Sequence, residues 1–332
     1  MTSAAAIVRE EIRRDGPISF ARFMEVALYN PECGYYCRPW AEGRDPFGRQ
    51  GDFYTAEQMQ PVFGILISAF AESVYREMGC PESFTVVELG AGRAEMAEYF
   101  SRWRYVPVDV NRRPMDEPFA GLVFANEFFD ALPVHLVVKR ESGFHERLVG
   151  LRGEEFHWVD GAGVSDAIAG HLSLYGAPVS EGDVLEVNLE ALEHMRRITR
   201  CLRDGFLAAI DYGYTAREIV RFPQGTLMSY RRHQALDDVL AEPGLRDITA
   251  HVNFTALEQH AVATGWEAVR LESLASFLLR AGERDQFAAA VGADSLAPEG
   301  REAGARRLQL KTLLYGMGET FRVLLLRKRG TQ

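Results

Sequence analysis

Three observations predict an α/β fold with a nucleotide-type cofactor site. A short apolar strand runs into a glycine turn at Phe84 to Arg93 (FTVVELGAGR). A second apolar strand ends in an acid about twenty residues later, and further apolar strands alternate with helical stretches to the C-terminus. Val86, Val87 and Leu89 suit a buried strand, Gly90 and Gly92 permit a tight turn, and Ala94 to Trp103 can form a helix over it. A plain tight turn remains an open alternative for these residues.

The elements follow in order. Ala4 to Arg14 reads as a helix stopped by Asp15, Gly16 and Pro17, and Phe20 to Leu28 as a second one stopped before Asn30 and Pro31. Gly34 to Asp52, rich in Gly, Pro, aromatic and charged residues, predicts a long ordered loop of the kind that forms lids. After Pro61, the spacing of Phe63, Leu66, Ile67, Phe70 and Val74 predicts a core helix ending near Gly79. Strands are expected at Tyr105 to Val108, Leu122 to Ala125, Gly205 to Asp211 and Phe321 to Leu326, and a helix at Leu189 to Leu202. Val134 to Val159 reads as β-prone pieces broken by turns at Ser142-Gly143 and Gly153. The expected organisation is a helical and lid segment over 1–80, then a core over 81–332 carrying an insertion at about 134–180. Ala281 to Gly304 is loose and rich in Ala and Gly.

Composition bounds the function. With 332 residues and 47% hydrophobic content the chain can bury a large core, and its net charge of -10 argues against duplex nucleic acid or an anionic membrane as partner. Short basic runs such as Arg196 to Arg203 read as solvated faces. Cys33 and Cys37 have no second pair to complete a zinc site, so a reduced compartment fits. The N-terminus resembles neither a secretory signal nor a transit peptide, no segment is long and apolar enough to span a bilayer, and a cytoplasmic enzyme is expected.

Charge at the glycine turn discriminates among cofactors. A pyrophosphate seeks helix N-terminal amides without an anion beside them, whereas Glu88 and Glu95 both bring negative charge, and Glu95 stands where a dinucleotide fingerprint has its last glycine. S-adenosylmethionine, with a sulfonium and an ammonium and no phosphate, fits this turn better than NAD. Asp109, ending the second strand, can accept from ribose hydroxyls, or be a solvated strand end. Asn126, Glu127 and Asp130, in NEFFDALPV, follow the strand Leu122 to Ala125 and face the expected reaction zone, or cap a turn. Asp211, in IDYG, ends the next strand and can join the same rim.

These strings, with GPISFARFMEVALYNPECGYY, GDFYTAEQMQPVFG, GTLMSYRRHQALDDVLAEPGLRDITAHVNF and MGETFRVLLL, make the chain resemble the MidA-like, S-adenosylmethionine-dependent methyltransferase family along most of its length. The resemblance implies a Rossmann-like methyltransferase core with an N-terminal helical extension and a β-rich substrate-side insertion. It implies S-adenosylmethionine as cofactor, no metal, and a protein substrate methylated on arginine, as for mitochondrial relatives implicated in respiratory complex I assembly. Carried over motif by motif, Glu88, Gly90 and Gly92 form the cofactor loop, Asp109 holds ribose, Asn126 and Glu127 lie beside the methyl group, and Asp52, Phe53 and Thr55 wall the cofactor. An arginine acceptor needs a carboxylate to localise the guanidinium charge, with Glu127 first and Asp130 and Asp211 next. His135 and His233 read as structural or substrate-adjacent. A homodimer is compatible with this reading.

Two departures stand out. Ala94 replaces a third glycine, tolerable where the backbone is helical, and the sixteen residues between Asp109 and Asn126 hold a loop and one strand but no helix-strand unit. The core is therefore expected to be shortened. The rival readings are a noncatalytic assembly protein keeping the fold, and a small-molecule methyltransferase; an NAD dehydrogenase is remote.

Overall fold

Two hydroxyls set the first helices. Ser3 accepts from the Ala6 amide and Ser19 from the Arg22 amide, capping α1 (Ala4–Asp15) and α2 (Phe20–Tyr29), which lie within a residue of their expected limits. A computed structural model describes residues 3–37, 56–110, 115–176, 178–231, 234–236, 238–292 and 301–330. The chain forms two compact units, numbered here in chain order of their elements: Met1–Tyr54, Phe129–His194 and Tyr214–Gln259 make the first, and Thr55–Phe128, Met195–Gly213 and His260–Gln332 the second.

In the first unit, the expected hairpins form at the expected turns. The strands β5 (His135–Arg140), β6 (Gly143–Arg152) and β7 (Glu155–Asp160) pair antiparallel, with β1 (Ile18–Ser19) added on β6 and β8 (Val184–Val187) on β5. One face of this sheet buries Leu136, Val138, Val149 and Val184 against Phe20, Phe23, Met24 and Leu28 of α2 and Val8 and Ile12 of α1. The helix α4 (Asp166–Tyr175) buries Ile168 against Val137 and Val187. A small sheet of β10 (Met228–Arg231), β11 (Gln234–Leu236) and β12 (Asp247–Thr249) completes the unit, and Ile248 joins the same core.

The second unit carries the main sheet. Its strands β2 (Thr85–Leu89), β3 (Arg104–Val108), β4 (Phe119–Asn126) and β9 (Leu202–Tyr214) are parallel in the order β3-β2-β4-β9, then β14 (Phe321–Lys328) and β13 (Glu267–Ser273) continue antiparallel. All five residues of β2 are buried, as expected of a strand covered on both faces. The predicted core helix is α3 (Val62–Glu77), which packs Phe63 near Phe124 and sets Phe70 edge-on to Phe277 of α6 (Leu274–Glu283) at 4.8 Å. The predicted helix after Tyr175 is α5 (Leu189–Cys201). Chain order and strand directions make this an α/β, Rossmann-like sheet. It ends at β3, in keeping with the shortened segment after Asp109. No described helix is long and apolar enough to cross a membrane.

Two differences from the sequence reading have physical causes. Residues 94–103 form a ladder of turns and not a helix: Ala94 is left-handed at φ 59°, which cannot begin a helix, and amides 97, 99 and 103 bond three residues back. The units also divide the chain differently from a split at residue 80. The first two helices pack on the hairpins of the 134–180 insertion, whereas α3 packs on the main sheet. The predicted loop Gly34 to Asp52 lies outside the described residues after Cys37.

Candidate functional site

Parallel neighbours in register bring their carboxyl ends to one edge. Leu89 pairs with Val108 and Ala125, and Asn126 pairs with Ile210, so Gly90, Asp109, Asn126 and Asp211 arrive together at the edge where open α/β sheets bind ligands. Gly90 takes φ 70°, and a methyl group there would press the Phe128 ring at 3.1 Å. The Gly92 amide donates to Asp109 Oδ2 at 2.7 Å, and Val110 N donates to Asp109 Oδ1 at 2.7 Å. Asp109 therefore closes the glycine turn, and a ribose in this place would exchange its hydroxyls against that bond.

Beneath the turn lies a group of carboxylates. Glu88 is fully buried, and the Tyr105 hydroxyl donates to its Oε2 across the β2-β3 pair. Glu57, on the short turn Ala56–Gln58, faces Glu88, Glu127 and Glu95. Burial first, and then the Glu88 carboxylate, raise the Glu57 carboxyl well above its usual range, so it holds a proton that it shares with Glu88. Glu127 has a left-handed backbone, φ 51°, its amide donates to Ile210 O at 2.9 Å, and its Oε1 accepts from Ala56 N at 3.1 Å and Asn126 Nδ2 at 3.3 Å. A non-glycine residue in that region costs about 1–3 kcal/mol and marks a position held for its side chain. Asn126 Oδ1 is buried without a hydrogen bond among the described residues, an acceptor awaiting an N–H donor.

The site thus collects carboxylates and an orphaned acceptor. Such a surface fits the ammonium and sulfonium of S-adenosylmethionine and repels a pyrophosphate. Glu57 and Tyr105 were not singled out from the sequence. Glu57 sits in the GDFYTAEQ string, and the strand pairing that sets Tyr105 beside Glu88 is the signal that only the sheet supplies.

The remaining candidates are distributed. Asp211 is fully buried within β9, three residues before its end, accepts from Tyr212 N at 2.9 Å, and is the cross-strand neighbour of Arg322. Asp130 belongs to the first unit, where its carbonyl accepts from Ala250 N at 2.9 Å and its carboxylate lies within electrostatic reach of Tyr36 and Tyr230. Asp52, Phe53, Thr55 and His233 lie outside the described residues. His135 Nδ1 meets Glu146 Oε1 at 2.6 Å across the β5-β6 hairpin, a structural pairing.

Two outcomes follow from this geometry. The helical backbone that would excuse Ala94 is not there, so Ala94→Gly is expected to stabilise the protein by up to about 1 kcal/mol, read as a higher urea midpoint. For Glu57, the folded carboxyl keeps a proton that the unfolded chain releases above the ordinary value of 4.5. Its contribution is therefore whole below that value and is lost as pH rises from it toward the raised folded value. Glu57→Gln should flatten the fall of the apoprotein's Tm as pH rises above the ordinary carboxyl value of 4.5, whereas an unchanged slope would place the shared proton elsewhere.

Comparison with known proteins agrees with this chemistry. The family model "Putative S-adenosyl-L-methionine-dependent methyltransferase" matches residues 100–271. The Drosophila melanogaster protein arginine methyltransferase NDUFAF7 homolog, mitochondrial, is 31% identical over 324 residues, covering 79% of this chain and 71% of its own; the Danio rerio NDUFAF7 is 27% identical over 307 residues, covering 74% and 69%. A crystal structure of a "likely methyl transferase from Burkholderia thailandensis bound to S-adenosyl-homocysteine" is 30% identical, with a TM-score of 0.81 over 98% of this chain and 92% of that one.

Proposed function

Since the chain belongs to the MidA-like family of S-adenosylmethionine-dependent methyltransferases, we propose that it methylates an arginine side chain of a protein. The carrying observation is Glu127: a carboxylate on a left-handed residue at the carboxyl end of β4, oriented by the Ala56 amide and the Asn126 side chain. The bound cofactor supplies an electrophilic methyl group on a sulfonium. The chain's own residues do the rest. Glu88 and Glu57, with one proton between them, offer a single negative charge to the cofactor's cationic end, Asn126 offers its orphaned acceptor, and Asp109 offers two oxygens to the ribose hydroxyls. A guanidinium stays protonated in water, so a carboxylate must draw its charge to one edge and leave the opposite nitrogen as nucleophile. Glu127 has the fixed geometry for that, with Asp211 next in order. Alignment of nitrogen and methyl carbon, with water excluded, supplies most of the acceleration.

The names of the animal relatives support the arginine reading, and the buried acidic site suits a cationic acceptor. A protein substrate follows from the same reading, with a cytoplasmic location and no nucleic-acid or membrane partner proposed alongside it; the relatives just named are mitochondrial, and fractionation of the native cell would separate the two locations.

The test is incubation of the pure enzyme and labelled S-adenosylmethionine with proteins of a strain lacking it, followed by mass spectrometry for methylarginine. Methylarginine made by the wild type is expected. Glu127→Gln should lower its rate by about a hundredfold with cofactor affinity within about twofold, the signature of a group that acts in the transition state. Cofactor binding with labelled small molecules but no methylarginine would replace the arginine reading by the small-molecule one.

A further inference from the structure

Two carboxyl groups in hydrogen-bond contact beneath the glycine turn cannot both be ionised. Strands β2 and β3, paired in register, set the Tyr105 hydroxyl against Glu88 Oε2, and Glu88 is fully buried. The Ala56 amide, donating to Glu127 Oε1 at 3.1 Å, draws the turn Ala56–Gln58 to the carboxyl end of β4. Glu57 thereby meets Glu88 in a side-chain hydrogen bond. An ionised carboxylate only accepts, so one proton lies between the two groups. Glu57 is the partly exposed member of the pair and Glu88 the enclosed one.

The surroundings hold that proton in place. Glu127, after β4, and Glu95, after the glycine turn, both face Glu57, and with burial and Glu88 they raise its carboxyl well above the usual range. Arg93 Nη1 is turned to Glu95 Oε1 at 3.1 Å, and from β3 the Tyr105 hydroxyl donates to Glu88. At the end of β4, Asn126 is 5% exposed, its Nδ2 holds Glu127 Oε1 at 3.3 Å, and its Oδ1 has no hydrogen bond among the described residues. An acid pair that keeps a proton for want of a cation, beside an acceptor without a donor, is complementary to an ammonium. The family's cofactor carries one on its amino-acid end, and the adenosine end is uncharged.

We propose that Glu57 is a specificity-determining residue for the amino-acid end of the cofactor, whose α-ammonium takes the place of the proton that Glu57 shares with Glu88. The O–H bond of the pair breaks and the proton passes to solvent. Both carboxylates are then ionised, and the ammonium brings one positive charge and its N–H donors, so the site carries a single negative charge before and after. Binding strengthens as pH rises while the pair is protonated, by up to about tenfold per pH unit, because one proton leaves for each cofactor bound. A ligand with an uncharged end leaves the proton where it is and Asn126 Oδ1 without a donor. The inference rests on the family's cofactor and is independent of the arginine reading.

The probe is S-adenosylhomocysteine, titrated calorimetrically into the full chain at about pH 6.5, where an α-ammonium keeps its charge. Parallel titrations in phosphate and in ACES, buffers with very different heats of protonation, should report release of about one proton per molecule bound. Glu57→Gln keeps a donor toward Glu88 but has no proton to give up. It should cut the release to below about a third of the wild-type value and leave an affinity nearly independent of pH. The desamino analogue of S-adenosylhomocysteine, with hydrogen in place of the amino group, should bind at least about tenfold more weakly and release no proton. Equal heats in the two buffers, a release that survives Glu57→Gln, or an analogue as tight as the parent overturns the exchange. The wild-type comparison decides it whether or not Glu57→Gln folds. No binding of S-adenosylhomocysteine sinks the placement of the cofactor together with this inference, whereas binding without proton release sinks this inference alone. Neither result bears on the methylarginine assay.

Discussion

Replacing Glu88 with lysine is expected to lower S-adenosylmethionine affinity at least a hundredfold, about 2.8 kcal/mol. Glu88 is fully buried, receives the Tyr105 hydroxyl, and shares a proton with Glu57. An ammonium in its place pairs with Glu57 and converts a site that attracts a cation into one that repels it. Glu88→Gln keeps the shape and removes only the charge, and should cost about tenfold. Calorimetric titration with both S-adenosylmethionine and S-adenosylhomocysteine separates charge from shape. The methylated cofactor carries the extra sulfonium, so its affinity should fall further than that of the demethylated one. Wild-type affinity in the lysine variant would move the cofactor away from this turn.

The second large effect is on folding. Thr85, Gly121 and Gly205 form one rung across β2, β4 and β9. At Gly205, φ is 148° and a methyl group would lie 1.9 Å from Gly121 O; at Gly121, φ is 145° and the methyl would lie 2.0 Å from Thr85 O. These are backbone contacts in the middle of the sheet, so no flexible side chain can yield. Gly205→Ala should therefore cost about 3 kcal/mol or more and give insoluble protein or a sharply lowered urea midpoint. Gly143→Ala is the control, because its φ of 124° is unfavourable but nothing lies within 4 Å. It should cost about 1 kcal/mol, the conformational penalty alone. Equal effects at the two positions would mean that the rung tolerates separation.

Local signals in the chain were strong where a residue acts on its own backbone. Asp15, Gly16 and Pro17 stop the first helix and Asn30 and Pro31 the second, the Ser142-Gly143 and Gly153 turns divide the hairpins, and the apolar spacing after Pro61 marks α3. The helix expected from Ala94 to Trp103 failed because helical composition does not report the backbone angle at its first residue, and Ala94 is left-handed. Of the candidate site, the acids at the strand ends could be read in sequence, since parallel strands deliver their last residues to a common edge. Glu57 could not, because its proton depends on burial and on a carboxylate 31 positions away.

By itself the sequence determined the α/β class, the acidic glycine turn and the preference for a cationic cofactor, because strand periodicity, turn chemistry and formal charge are local properties. Tertiary structure decided which carboxylates share a proton, and that Asp109 closes the turn through the Gly92 amide. It also decided how the chain divides, with the N-terminal helices on the inserted hairpins and α3 on the main sheet. Burial and strand pairing join residues distant in the chain, and the energy of a charge depends on what surrounds it more than on what precedes it.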